Sequence, residues 1–229
     1  MSLFSTSALT CPKCETTTDF PAAGSVNADR RPDLRQAILD DNFQTMACPT
    51  CAEVLRLEPL VNYLDVASGL WMAAYPARQL GAFGSLEAEA QALFDESYGS
   101  NAPQPAREVG AQLHARLTFG WPATREKILI RHNGLDDVLI EMLKLDLLRR
   151  LPQAPLRPGV DLRLIAISED SLDFVWIEND SETILSGFEA RRTLLTDIEE
   201  NQDQWAPTRP SLVAGMFVDI QRVLFVIGA

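Results

Sequence analysis

Two cysteine pairs constrain this chain more than any other feature of its sequence. All four cysteines lie in two copies of one motif, Cys11-Pro12-Lys13-Cys14 and Cys48-Pro49-Thr50-Cys51, separated by 33 residues. A Cys-x-x-Cys turn places two sulfurs at adjacent corners of a tetrahedron, so two such turns complete a four-thiolate zinc site. Proline at the second position of both motifs fixes φ and favours the turn. The sequence therefore predicts one zinc ion per chain, bound by Cys11, Cys14, Cys48 and Cys51.

The predicted metal is structural, because four thiolates leave the ion without the open coordination position that a catalytic zinc needs. The residues after the two pairs, Glu15 and Ala52, occupy positions where φ is commonly positive, at a cost of roughly 1 kcal/mol for a non-glycine residue. A structural zinc contributes roughly 10–16 kcal/mol, so this cost does not exclude the site. A mononuclear iron site, redox-active dithiols and disulfides stay open as alternatives.

Charge and composition exclude several classes of protein. The chain has 229 residues, of which 46% are hydrophobic, and this allows one large or two small domains with a core. The net charge is −12 and no segment is basic, which argues against nucleic acid or an anionic membrane as partner. No apolar run is long enough for a membrane span, and residues 1–6 lack the pattern of a signal peptide. We therefore expect a soluble, cytoplasmic protein.

Periodicity and turn residues predict an α+β fold in two sections. In residues 1–151, a zinc-ribbon-like knuckle pair lies on an antiparallel sheet packed by a helix over 135–151, with residues 76–107 as an insertion. Pro152, Pro155, Pro158 and Gly159 indicate the boundary. Residues 160–229 form an acidic α+β section that begins with a hairpin over 162–177. For Leu212–Ile227 the pattern fits a strand pair and a buried helix equally well.

Shorter segments have their own predictions. The patterns indicate a helix over 33–40, strands over 43–47 and 54–64, and a hairpin joining the latter to 70–75. Residues 86–96 are predicted to be helical, and residues 99–105 to form a surface loop. Further predictions are a strand over 113–119 and helices over 125–131 and 191–203.

Few residues outside the cysteine pairs suggest chemistry. The two histidines, His114 and His132, lack the spacing of metal-binding or catalytic-triad motifs. Asp136 and Asp137 lie in the first turn of the helix predicted over 135–151, and Glu141 follows Asp137 at i, i+4. These three acids either hold a divalent ion or only stabilise the helix N-terminus. The pair Glu126-Lys127 is predicted to lie on a solvated helix face.

The two Cys-Pro-x-Cys turns resemble those that define the CpXC family, a set of microbial domains named after them. The similarity extends to Phe43 before the second pair, to Tyr63-Leu64-Asp65 after it, and to Arg125–Ile130 followed by Gly134-Leu135-Asp136-Asp137. It covers roughly residues 9–150. The resemblance implies metal binding and does not imply a particular activity.

Three function hypotheses follow. The first is a zinc-binding scaffold or adaptor without catalytic activity, which binds a partner protein or a second copy of the chain. The contact would be made through exposed sheet edges or the acidic residues of 161–205, where twelve Asp and Glu stand against three Arg. The second is an enzyme with a site between the two sections, near Asp136, Asp137 and His132. The third is a redox-active dithiol protein.

Overall fold

The computed structural model describes residues 2–151, 154–155 and 157–227, and these residues form an α+β fold. None of the described helices has both the length and the apolar character needed to cross a membrane. The strands are β1 (Leu3–Thr10), β2 (Thr17–Asn27), β3 (Thr45–Ala47), β4 (Val54–Arg56), β5 (Val61–Asp65), β6 (Leu70–Tyr75), β7 (His114–Phe119), β8 (Val160–Ile167), β9 (Ser171–Glu178) and β10 (Thr183–Arg191). The helices are α1 (Pro32–Leu39), α2 (Phe83–Ser97), α3 (Gln104–Gly110), α4 (Gly120–His132), α5 (Asp137–Arg150), α6 (Thr193–Glu200), α7 (Arg209–Leu212) and α8 (Ile220–Ile227).

The larger sheet has five strands in the order β1-β2-β5-β6-β7. The pairs β1/β2 and β5/β6 are antiparallel, whereas β2/β5 and β6/β7 are parallel. Parallel neighbours cannot be joined by a tight turn, so each parallel pair needs a long crossover connection. The chain between β6 and β7, with α2 and α3, is one such crossover and contains the segment 76–107. That this segment is an insertion stays a prediction.

The smaller sheet, in the order β10-β9-β8, packs against α5 and α6 and forms the largest apolar core with them. The boundary between the two sections, at residues 152–159, stays a prediction, and Pro152 lies outside the described residues. The core nevertheless includes α5 from one side of this boundary and the C-terminal strands from the other. The side chains that meet there include Val138, Ile140 and Met142 of α5 and Leu162, Leu164, Phe174 and Trp176 of β8 and β9.

Three predicted elements are corrected by the structure. The strand predicted over 54–64 is two strands in two different sheets, because Pro59 lies between them and has no N–H for a sheet ladder. The loop predicted over 99–105 ends in the first turn of α3, where Pro105 fits because that turn needs no donor. The helix predicted over 125–131 begins earlier, at Gly120, with Pro122 in its first turn.

The structure also contains strands that periodicity did not predict. β1 and β2 form a long hairpin around the first cysteine pair, and β10 adds a third strand to the predicted β8/β9 hairpin. Their side chains are largely exposed on one or both faces, so they lack the apolar alternation of a half-buried strand. Within Leu212–Ile227, the open choice between strand and helix is decided for residues 220–227, which form α8.

Candidate metal centre

Each cysteine pair lies at the tip of a hairpin. The first pair connects β1 to β2, and the second connects β3 to β4. Both turns are closed by the same two backbone hydrogen bonds, with N···O distances of 2.7–2.9 Å. The N–H of the first cysteine donates to the carbonyl of the residue five positions later. The N–H of the residue after the second cysteine donates to the carbonyl of the first cysteine. Glu15 and Ala52 both have φ of 59°, as expected for this turn. The chain thus builds the same left-handed turn twice, with alanine or glutamate where glycine would be unstrained.

The four sulfurs meet between the two turns. All four Sγ atoms lie within 4.8 Å of one another, and no disulfide joins them. Across the turns, Cys11 lies 3.6 Å from Cys51, and Cys14 lies 3.6 Å from Cys48. Four sulfurs placed 2.3 Å from one central ion at tetrahedral corners are about 3.8 Å apart. The cluster therefore matches a tetrahedral thiolate site, while its spacing is far longer than the S–S bond of about 2.05 Å.

The surroundings of the sulfurs are apolar on one side and charged on the other. Cys11 and Cys48 are buried with Phe20 and Leu55, and the other two cysteines are half-buried. On the exposed side, Lys13 of the first turn pairs with Glu53 beside the second turn at 3.0 Å. An exposed pair of this kind contributes little stability. The two hairpins also meet through the sulfur cluster, a small apolar contact and hydrogen bonds of the Gln44 side chain to Ala23 and Pro21 of β2.

The sulfurs differ in their readiness to lose a proton. Hydrogen bonds with the side chain and the backbone of Thr16 lower the pKa of Cys14 to about 6. The backbone N–H of Glu53 lowers the pKa of Cys51, but desolvation and the neighbouring sulfurs outweigh it and raise that pKa to about 12. A closely packed set of thiols resists full deprotonation, and a divalent cation is the chemical species that makes four adjacent thiolates stable.

The residues of the alternative enzyme site do not form a shared catalytic group. His132 is exposed at the end of α4. Asp136 caps the N-terminus of α5, where its Oδ1 accepts a hydrogen bond from the N–H of Val138 at 2.8 Å. Asp137 is completely buried and accepts two hydrogen bonds, of 2.7 and 2.9 Å, from the guanidinium of Arg116. Each side chain has a local structural partner or faces solvent.

Glu126 and Lys127 were predicted to lie on a solvated helix face, and this prediction is wrong. Both are buried and belong to a connected set of charged side chains, here called the buried ion network. The network comprises Arg116, Glu126, Lys127, Asp137, Glu141, Lys144, Asp161, Arg163 and Asp219. It joins β7, α4, α5, β8 and the residue before α8. Glu141 also belongs to it, so this acid is paired with cations and is not available to a bound ion.

Lys144 and Arg163 each connect carboxylates from two different elements of the network. The Nζ of Lys144 lies 2.7 Å from Glu126 and 3.1 Å from Glu141. Arg163 contacts Glu126 at 3.0 Å and Asp219 at 2.6 Å. The carboxylates also accept backbone donors, since Glu126 binds the N–H of Leu164 at 2.6 Å and Glu141 binds the N–H of Ile220 at 3.1 Å. Buried charges persist only when they are paired in this way.

The network shifts the pKa values of its members. Burial tends to raise the pKa of Asp219, but Arg163 and the two lysines outweigh it and lower that pKa to about 2. Asp137 behaves similarly, since Lys127 and Arg116 hold its pKa below the usual range despite burial. Burial raises the pKa of Glu141 above its usual value, and its lysine partners only partly oppose this. Most of the network is therefore ionised and held by mutual attraction.

One sequence signal could have revealed part of the network. Asp137, Glu141 and Lys144 follow one another at i, i+4 and i+7, and thus form a single stripe on α5. The other positions around this helix are largely apolar and buried, so the charged stripe has no solvent-facing side to occupy. Arg163 and Asp219, which join the network through Glu126 of α4, lie far along the chain, and no sequence spacing connects them to α5.

Comparison with known protein families places the chain in one of them. Residues 9–144 match the family described as CpXC protein, which is more than half of the chain. The chain belongs to the CpXC family, as its two cysteine motifs had indicated. No curated protein and no solved structure matches the chain.

Proposed function

We propose that Cys11, Cys14, Cys48 and Cys51 hold one zinc ion in a closed structural site, and that the protein is an interaction scaffold or adaptor without catalytic activity. The zinc supplies a cross-link between the β1/β2 and β3/β4 hairpins. With four thiolate ligands the ion has no position for a substrate or a reactive water. Function then depends on surfaces that the folded chain presents to a partner.

The spacing of the sulfurs carries this proposal. Two turns of identical backbone geometry bring four thiols to distances that suit a tetrahedral metal site. The apolar cluster beside them contains only four buried residues, which include two of the cysteines. A local core of this size gains too little from burial to hold two hairpins together, so a metal cross-link has a clear structural task.

The scaffold part of the proposal is supported by the acids of α5 and by the sheet edges. Asp136 serves as a helix cap, and Asp137 and Glu141 are members of the buried ion network. In contrast, two sheet edges, β1 and β10, present mostly exposed side chains. Sheet edges bind other chains through their free backbone groups, which is a common basis of protein recognition.

The test is a measurement of metal content by plasma mass spectrometry on protein purified without added metal, together with a thiol count before and after chelation. We expect one zinc per chain and four thiols that react only after chelation. Cys48→Ala should lose the metal, whereas Thr50→Ala, an exposed non-ligand in the same turn, should retain it. One iron per chain would correct the identity of the metal. A metal-free protein with readily cycling disulfides would overturn the proposal in favour of redox chemistry.

A further inference from the structure

We propose that the free edge of β10 binds an extended, basic segment of a partner protein by adding it as a further strand. The inference rests on the proposed scaffold function and names the surface and the chemistry of its partner. Three observations carry it: the edge is unpaired, its exposed side chains are apolar at one end, and at the other end Glu189, with Asp173 of β9 opposite it, has no ion pair among the described residues.

Within the described residues, the two larger sheets have four edge strands, of which two are contacted by residues outside the sheet and two are not. The outer side of β7 is contacted by Met216, whose carbonyl accepts from the N–H of Leu117 at 2.9 Å. The outer side of β8 is contacted by Glu126 through the N–H of Leu164. β10 pairs only with β9, and β1 only with β2. Unpaired N–H and C=O groups on such edges are templates for another strand.

The register of β10 defines which side chains share a face with Ile184 and Glu189. Ile184 lies opposite Ile177, Gly187 opposite Val175, and Glu189 opposite Asp173, so these six residues share one face of the sheet. Ile184 is 57% exposed and lies at the end of β10 beside the turn that follows β9. At the centre of this face Val175 and Ile177 are buried, and a Cβ added at Gly187 would lie 3.2 Å from Cγ1 of Val175. An added strand would place an apolar residue next to Ile184 and a second residue next to Glu189.

The carboxylate end of this face favours a cation. Asp173 and Glu189 are directly opposite each other, and neither has an ion-pair partner among the described residues. Like charges in directly opposed strand positions are destabilising, so a cationic side chain on an added strand next to Glu189 would offset this repulsion. The surrounding section reinforces this preference, since residues 161–229 carry a net charge of −8. The same charge repels a second copy of this acidic chain, which selects against self-association at this edge.

The zinc-binding region positions one end of the surface. Arg56 of β4 pairs with Glu182, in the turn between β9 and β10, at 2.5 Å and with Asp41 at 2.7 Å. Glu182 has φ of 53°, so the turn at the start of β10 is held in a left-handed conformation. This contact pairs the acid next to Ile184 and leaves Asp173 and Glu189 without an ion pair at the far end, where Arg191 lies on the same face. A partner strand added parallel to β10 therefore needs its apolar residues first and its basic residues further along.

The β1 edge is the internal comparison. It has exposed apolar side chains, Leu3 at 60% and Phe4 at 46%, but contains no charged residue from Leu3 to Thr10. An extended peptide that bound through backbone groups and apolar contacts alone would bind β1 as well as β10. A peptide that required the acids would distinguish the two edges.

The experiment uses the full-length protein, with its metal content measured on the same sample, and a fluorescent nine-residue peptide, TVTVTKTKT. Its valines and lysines share one face of a strand. The comparison peptide, TVTVTETET, replaces the lysines with glutamates. We expect anisotropy to show binding of the basic peptide that is weakened by salt, with no binding of the acidic one. Hydrogen exchange should slow in residues 183–191 when the basic peptide is bound.

Two matched pairs of variants locate the contact. Leu185→Lys adds a cation to the β10 edge and should weaken binding at least about tenfold, whereas Leu3→Lys makes the same change on β1 and should leave it unaltered. Asp173→Asn with Glu189→Gln should also weaken binding, unlike Glu199→Gln with Glu200→Gln, which removes equal charge from exposed positions of α6. Thermal unfolding of each variant confirms that it is folded.

The outcomes separate this inference from the proposed function. Equal effects within either pair of variants, equal binding of both peptides, or exchange protection at β1 would overturn the β10 inference. Absence of binding by protein that holds one zinc per chain would also overturn it, while the structural zinc site would stand. Protein without a four-thiolate metal would contradict the proposed function whatever the peptide result.

Discussion

The metal centre and the buried ion network are both clusters of ionisable side chains, yet they are assembled differently. The metal centre takes its four ligands from two short, identical turns, each encoded by four consecutive residues. The network takes nine residues from five parts of the chain, from Arg116 to Asp219. The first is a set of four thiols that could hold a metal ion, whereas the second contains its own cations. Local sequence therefore specifies the first cluster, and only packing assembles the second.

The largest expected effect comes from removing one metal ligand. Cys48→Ala should abolish metal binding and unfold the region around the two hairpins, since such a zinc contributes roughly 10–16 kcal/mol. Hydrogen exchange should become fast in residues 9–20 and 45–56 but stay slow in β8 and β9, which the ion network and the main core hold. Unchanged metal content and thermal stability would contradict the structural role of the site.

The next largest effect should come from breaking the network at its centre. Lys144→Met leaves Glu126 and Glu141 buried without this shared cation, so we expect a loss of roughly 3–5 kcal/mol in the free energy of unfolding. Urea titration measures this loss, and the metal content should remain one ion per chain. The control Arg150→Met removes an exposed cation that pairs with Asp146, and it should cost less than about 1 kcal/mol. Equal losses in the two variants would show that the network adds nothing beyond surface pairing.

Acid should weaken the network through Asp219. The pKa of this carboxyl is lowered in the fold from 3.8 to about 2. The resulting stabilisation is present above pH 4 and is lost as the pH falls towards 2, and it amounts to about 2 kcal/mol. The difference in unfolding free energy between the wild type and Asp219→Asn should therefore shrink by about this amount from pH 5 to pH 2. Metal release in acid affects both proteins and cancels in the difference; a constant difference would contradict the shifted pKa.

The smallest expected effect concerns the turns of the metal centre. Ala52 has positive φ, so Ala52→Gly should stabilise the protein by up to about 1 kcal/mol in thermal unfolding, without changing metal content. Ala47→Gly is the control, because this residue lies in β3 with ordinary strand geometry. There glycine should destabilise by about 0.5–1 kcal/mol. A loss of stability in both variants would mean that the left-handed turn imposes no strain.

Much of the fold could be predicted from local patterns. The helix over 33–40, the β5/β6 and β8/β9 hairpins and the helix that follows Asp136 all appear close to their predicted positions. These elements combine apolar periodicity with a cap, a proline or a turn residue at an end. β1, β2 and β10 were missed because their exposed side chains carry no such alternation. A strand of this kind forms because a neighbouring strand pairs with it, and its own sequence does not identify that neighbour.

The sequence by itself indicated the four cysteines that could hold a metal, the turns that present them and the family. Cysteine spacing fixes the positions of sulfurs within a turn, and this geometry is largely independent of the remaining chain. Only the tertiary structure decided that Glu126, Lys127 and Asp137 are buried, that their partners include Arg163 and Asp219, and that β10 is left as a free edge. Burial and edge position depend on which elements pack together over more than a hundred residues. Charged side chains look alike in sequence whether water or a buried counter-charge surrounds them.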